Sequence, residues 1–346
     1  MRAIARLAFG AVWLLLAAPL LAGAGPRARA NATLLQTLPA PVQRTIRIEI
    51  ANGVLDDVSR TNSDDGDVIY DVNFSRAGKP RNLTVALDGR LLDMKVYLPE
   101  APPAVRESLK SLSQAGELGE ITRDFGLNED STFDAEITHA GITRTYTVDD
   151  CGVVLGTQVF LGELPARVKD SVNSIIGAGT AGEITKQMDD DGVTYEVVMT
   201  RGGTNRTFTV NTNGEMLEEQ VFLDEIPGAV QKAVQAQAKW GRLGKINKST
   251  DGGTDYYEVE IRIGLNTCRL AFTAEGKPDS EEEDMVLASA PARVKTALRS
   301  IQRAGEVVTD VMRSTEGSDT TYDIELRDGK TRRTLTFDPD GVLVKN

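Results

Sequence analysis

The chain has 346 residues, with 39 Lys and Arg against 51 Asp and Glu and a formal net charge of -12. That balance, with no Lys/Arg-rich run, excludes a nucleic-acid phosphate backbone as a partner. At 40% hydrophobic and 26% charged residues the composition is that of a folded globular chain, not a disordered one.

Residues 1–30 carry the order of an export signal. Arg2 and Arg6 are followed by an apolar stretch from Leu7 to Leu21, then by two Ala-x-Ala sites, Ala22-Gly23-Ala24 and Ala28-Arg29-Ala30. The apolar part is too short for a good membrane span. The expected location is periplasmic or secreted, with no stable membrane span once the signal is cleaved.

A repeat follows. Prolines at 39, 102, 165, 227 and 291 each precede a valine by three residues: Val42, Val105, Val168, Val230 and Val294. Four residues further stand Ile46, Leu109, Val172, Val234 and Leu298. Proline opens a helix, and apolar positions four apart share one of its faces. A glycine fourteen residues after each proline (Gly53, Gly116, Gly179, Gly241, Gly305) is expected to supply a left-handed stop.

Strands come next. A short one surrounds Val54–Val58, Ile121, Ile184, Ile246 and Val307. A second begins at Tyr70, Phe133, Tyr195, Tyr257 and Tyr322, each followed by an acid and then by apolar residues at alternate positions. A third alternates toward Gly89, Gly152, Gly214, Gly276 and Gly341, which stand nineteen residues after the aromatics and mark tight turns. A fourth ends at Tyr97-Leu98, Phe160-Leu161, Phe222-Leu223 and Val286-Leu287.

The fold class predicted is therefore α+β, as five tandem modules, each one helix packed on its own small antiparallel sheet (α-β-β-β-β). The copies span 38–98, 99–161, 162–223, 224–287 and 288–346. Short links such as Leu161-Gly162-Glu163-Leu164-Pro165 imply contact between neighbours.

The Pro-x-x-Val helix, the Gly-x-Ile strand (Gly182-Glu183-Ile184, Gly244-Lys245-Ile246), the Tyr-Glu-Val strand (Tyr195-Glu196-Val197, Tyr257-Glu258-Val259) and the Asn/Asp-Gly hairpin resemble PepSY-like modules, especially those grouped with β-lactamase inhibitory proteins. The resemblance covers roughly residues 38–346. It implies an exported or envelope protein that binds other proteins, inhibition of a peptidase or β-lactamase among the roles. Its motifs are structural, so no contact residue carries over from it.

Catalytic chemistry, by contrast, lacks its parts. His139 is the single histidine and sits in a turn of the second copy only, which reads as a surface histidine. Cys151 and Cys268 occupy different slots of the repeat and are too few for a metal site or a disulfide framework. Cys268 falls where other copies place Arg81, Arg144, Arg206 and Arg333, a basic slot expected to form cross-strand ion pairs or shield the sheet end or, functionally, to bind an anion or carboxylate. Acidic turns at 64–67, 128–130, 189–192, 251–253 and 316–317 match no calcium loop and read as solvated turns. No catalytic, cofactor or metal residue is assigned, and no enzyme activity is expected.

The expected contact surface is the sheet face turned away from the helices. It carries Glu196, Glu258, Glu260, Asp323 and Glu325 from the second strands and Thr147, Thr209 and Thr336 from the third, with Asp134 and Glu136 beside them. A repeated acidic face suits an extended or basic protein or peptide. The function expected is a non-catalytic protein- or peptide-binding array, with inhibition of a hydrolase as one such role. The alternative is a structural or spacer protein of the cell envelope without a saturable ligand.

Overall fold

The structure, a computed structural model, describes residues 35–345 apart from 64–65, 129, 190–191, 264–265 and 330. The expected signal segment 1–30 and the turn residues Asp64, Asp65, Glu129, Asp190 and Asp191 lie outside the described residues.

Five helices open the five copies: α1 (Ala40–Ile50), α2 (Pro103–Leu112), α3 (Ala166–Ile176), α4 (Gly228–Gln237) and α5 (Ala292–Ile301). In each, the predicted proline is the residue just before the first turn, with extended backbone (Pro39 φ -57, ψ 142). Its carbonyl accepts the first intrahelical bond, as from Gln43 and Lys169. The predicted valine and the residue four later are buried in every helix. Burying such a pair contributes roughly 3–6 kcal/mol per helix against the exposed state.

The strands of the first copy are β1 (Val54–Asn62), β2 (Val68–Arg76), β3 (Lys79–Ala86) and β4 (Leu91–Val96). The second has β5 (Glu117–Phe125), β6 (Ser131–His139), β7 (Ile142–Asp149) and β8 (Val154–Val159); the third, β9 (Thr180–Asp189), β10 (Gly192–Arg201), β11 (Thr204–Asn211) and β12 (Met216–Val221). The fourth has β13 (Arg242–Asp251), β14 (Thr254–Ile263), β15 (Asn266–Thr273) and β16 (Pro278–Asp284); the fifth, β17 (Val307–Glu316), β18 (Asp319–Asp328), β19 (Thr331–Phe337) and β20 (Leu343–Lys345).

These strands do not form five separate sheets. They belong to one 20-stranded antiparallel sheet carrying five helices, which corrects the predicted fold class of five helix-on-sheet modules. The fourth strand of one copy pairs with the first strand of the next: β4 with β5, β8 with β9, β12 with β13 and β16 with β17. The physical reason is the edge. A four-stranded sheet of its own would leave a row of unpaired N–H and C=O groups on each outer strand, and pairing across the junction satisfies them.

By their contacts the residues form two compact units, Met1–Gly126 with Ser131–Gly152, and Leu127–Asp130 with Val153–Asn346. The first holds α1, α2 and β1–β7. The second holds α3–α5 and β8–β20, and its hydrophobic packing is local. Separate clusters gather Val168, Val172, Val197 and Phe208; Val230, Val234, Val259 and Phe272; and Val294, Leu298, Ile324 and Phe337.

Two sets of glycines explain why the copies keep their spacing. The turn glycines all have positive φ, from 76° to 90°. Their N–H groups donate to the carbonyl three residues back (Gly89 to Ala86 at 2.9 Å, Gly214 to Asn211 at 3.0 Å). A Cβ there would also strike the first turn of the copy's own helix, 2.7 Å from Pro41 at Gly89 and 2.5 Å from Ala104 at Gly152. The glycines after the helices behave otherwise than predicted. Only Gly305 of the five has positive φ. Gly53, Gly116 and Gly179 are needed because a Cβ would meet the carbonyl oxygen of Ser75, Thr138 or Thr200 on the neighbouring strand at 2.5–2.7 Å. The left-handed residues at the helix ends are instead Ala51 and Gly177.

Candidate functional site

Each second strand alternates between core and opposite face. Tyr195, Val197 and Met199 are buried beneath α3, so Glu196 between them points away from the helix, and the same holds for Glu258, Glu260, Asp323 and Glu325. Thr209 and Thr336 lie between buried core residues of their strands, Thr147 lies between half-buried Tyr146 and buried Val148, and all three share that face. All eight predicted contact residues therefore stand opposite the helices, yet the face is half-buried and internally bonded. The Thr147 hydroxyl donates to Asp134 at 2.5 Å, Thr336 to Asp323 at 2.6 Å, and Thr209, itself buried, to Glu218 at 3.2 Å. Glu196 accepts from Gln187 at 2.8 Å. Glu325 accepts from Thr309 at 2.6 Å and Arg332 at 3.0 Å, and Glu260 lies 3.7 Å from Arg262.

In the first unit the acids of this face come from three strands. Asp93 on β4 stands directly opposite Asp124 on β5, and Asp134 on β6 is beside them, paired with Thr122. Burial pushes Asp93 up to about 6, against a hydrogen bond from Thr84. Burial also pushes Asp124 up to about 8, with Asp134 and Asp93 adding to the rise. Asp134 is raised by burial although Thr147 works against it. Among the described residues no cation acts on any of the three, and Oδ2 of Asp124 is buried without a hydrogen-bond partner.

In the second unit cations act on the acids of the corresponding face, whereas Lys95 of the first is paired with Glu120. Burial pushes Glu258 up to about 7, opposed by Arg269. Glu196 and Glu218 are raised by burial and opposed by Lys245. Arg269 binds both oxygens of Asp284 at 2.7 and 2.8 Å and approaches Glu282 at 3.8 Å.

The basic slot at the start of the third strands has a fixed partner. Arg81 grips both oxygens of Glu100, and Arg206 grips both of Glu225. Each acid lies nineteen residues on, in the turn leading to the next helix. Each also accepts from that turn's backbone, Tyr97 or Phe222 N–H at 2.9 Å. The guanidinium lies over the neighbouring ring, Tyr97 or Phe222. Arg333 makes the fork to Glu306 instead. These arginines are clamps between third strand and turn, not ion pairs with the preceding strand; in Arg81 and Arg206 both terminal nitrogens are engaged while Nε is buried without a hydrogen-bond partner. In the fourth copy both members are replaced together, by Cys268 and Ser289.

His139 also has a local task. Its Nε2 lies 3.1 Å from the Leu112 carbonyl at the end of α2, where Arg76 and Arg201 donate to the carbonyls of Glu49 and Ile176 at the ends of α1 and α3. Neither cysteine is in a disulfide, and burial pushes the Cys268 thiol up to about 11. Asp149, Asp150 and Cys151 bring ligand-type atoms within 4.8 Å of one another, but the Asp149 carboxylate accepts the Cys151 N–H and closes the turn. Among the described residues no helix is long and apolar enough to cross a membrane.

One recurring group was missed in the sequence: a cation on every first strand, Arg60, Arg123, Lys186, Lys248 and Arg313. Each pairs in register with the aromatic of the second strand, from Arg60 with Tyr70 to Arg313 with Tyr322. The signal was its distance from the helix proline, 21 residues in four copies and 22 in the fifth.

No family model matches the chain, and no curated protein matches it. Solved structures do. A DUF2874 family protein from Bacteroides ovatus is 23% identical, with a TM-score of 0.31, over 35% of this chain and 86% of the other. A second DUF2874 family protein, from Bacteroides uniformis, is 17% identical with a TM-score of 0.31, over 34% and 86%. A BLIP-like protein from Bacteroides fragilis is 16% identical with a TM-score of 0.27, over 34% and 84%.

Proposed function

We propose that this chain is an exported, non-catalytic binding protein built from five PepSY-like copies, at 38–98, 99–161, 162–223, 224–287 and 288–346. Its partner is a protein or peptide bearing cationic side chains, and inhibition of a hydrolase is one form such binding takes. The observation that carries the reading is the trio Asp93, Asp124 and Asp134. Three acidic side chains held together at half-buried positions, Asp124 keeping its proton up to about pH 8, give an incoming Lys or Arg an electrostatic gain as the trio ionises beside it. Thr147 orients Asp134 of the trio, and in the second unit Glu196, Glu258, Glu260, Asp323 and Glu325, with Thr209 and Thr336, form the corresponding contact face.

The test is capture of envelope proteins on immobilised chain, followed by titration of the eluted partner. Saturable binding that weakens with salt and drops at least tenfold for the Asp93→Asn/Asp124→Asn double variant supports the reading. Binding indifferent to both sinks it.

The structural or spacer alternative draws on a different observation. Backbone pairing runs across the copy junctions, as at β4–β5 and β12–β13, and a hydrogen-bonded ladder is a stiff connection. An absence of saturable partners would favour it.

A further inference from the structure

The first strands of the second to fifth copies are paired on both sides. Among the described residues β1 pairs with β2 alone, so its other edge is open. The internal junctions show what that edge accepts. At each one an aliphatic residue near the end of the incoming strand meets the same position: Val96 opposite Ile121, Val159 opposite Ile184 and Val221 opposite Ile246. At the fourth junction the Met285 N–H donates to the Val311 carbonyl at 3.0 Å. The equivalent residue of β1 is Val58.

Two residues before that aliphatic, the incoming strand faces the recurring cation. Glu219 stands opposite Lys248, and Glu283 opposite Arg313 at 3.0 Å. Met94 and Thr157 occupy the position in the other two. The equivalent cation of β1 is Arg60. It is exposed, as are Ser59 and Asn62, whereas their counterparts Thr122, Arg123 and Phe125 are half-buried.

Natural sheets blunt an open edge with bulges, and β1 has one between Leu55 and Asp57. That bulge does not close this edge. β5, β13 and β17 carry the same irregularity and still accept a strand.

We propose that the Val58–Thr61 edge of β1 is a strand-addition site for an extended segment of a partner protein with the pattern acid-x-aliphatic. The segment runs antiparallel to β1, its acid opposite Arg60 and its Val or Met opposite Val58. Main-chain hydrogen bonds give the affinity and these two side chains give the register. This site is separate from the acidic face, and neither depends on the other.

The probe is a synthetic peptide with the sequence of residues 216–223, which supplies Glu219 and Val221 in that spacing, titrated onto the full chain. Saturable binding is expected, with slowed amide hydrogen exchange at residues 58–61. Arg60→Glu, at an exposed position, is expected to weaken binding at least tenfold. A peptide with Lys replacing Glu219 should restore binding to that variant and lose it to the parent. No saturable binding, equal binding to both proteins, or protection confined to strands other than β1 would overturn the site. So would a dimer of the parent chain that Arg60→Glu dissociates, which would make a second copy the occupant.

Discussion

Each unit places acids on its own sheet face opposite its helices, and the two treat them differently. In the second, Arg269 stands among Glu258, Glu282 and Asp284, and Lys245 acts on Glu196 and Glu218. In the first, Asp93, Asp124 and Asp134 have threonine hydroxyls and one another. The repeat explains the shared positions: Asp134, Glu196, Glu258 and Asp323 fill one slot of the second strand. What differs is a handful of substitutions around them. A repeat can hold its fold on core and turn residues while the polar face, on which folding places few demands, varies from copy to copy.

Removing the cation from the second unit should make it resemble the first. Arg269→Met leaves three half-buried carboxylates without their partner and is expected to cost about 3 kcal/mol in urea denaturation at pH 7. Adding Asp284→Asn should recover part of the loss. The reverse change acts on the first unit. Asp124 has an ordinary value of 3.8 and a folded value of about 8, so the folded chain holds an extra proton between those limits. Its stability is complete below about pH 4 and declines as pH rises through 8. Asp124→Asn should therefore stabilise by about 2 kcal/mol at pH 8 and by almost nothing at pH 4, allowing for its partial exposure to solvent. An equal gain at both pH values would refute the assignment.

The clamps offer a finer contrast. The Arg81 side chain is 4% exposed and that of Arg206 is 23% exposed. Arg81→Ala is expected to cost about 2 kcal/mol and Arg206→Ala about 1 kcal/mol, read from denaturation midpoints. The Arg81 fork holds Glu100 down to about 2 from 4.5. Its contribution is present above about pH 4.5 and fades as pH falls toward 2, so the Arg81→Ala penalty should shrink in acid.

How far the sequence could be read depended on the range of each interaction. Helix starts, strand alternation and turn glycines are local. Pro39 and Val42, or Asn213 and Gly214, declare themselves within a few residues. The eight contact residues were also placed on their face by alternation alone. The clamp was misread because the partner of Arg81 is not on the adjacent strand but at Glu100, nineteen residues on. The glycines after the helices were right in position and wrong in reason. Gly53 answers to the carbonyl of Ser75 on the paired strand, and no local pattern carries that contact.

By itself, then, the sequence determined where the helices, the turn glycines and the second and third strands fall and which sides of those strands turn inward, because these follow from spacing along the chain. The tertiary structure alone decided that the sheet runs across the copies. It also decided that the acidic face is half-buried and mostly bonded to itself, and that Asp93 and Asp124 are forced together without a cation. Those outcomes depend on cross-strand register at the junctions. Val96 meets Ile121 and Asp93 meets Asp124 only because the backbone edges of consecutive copies satisfy each other's hydrogen bonds.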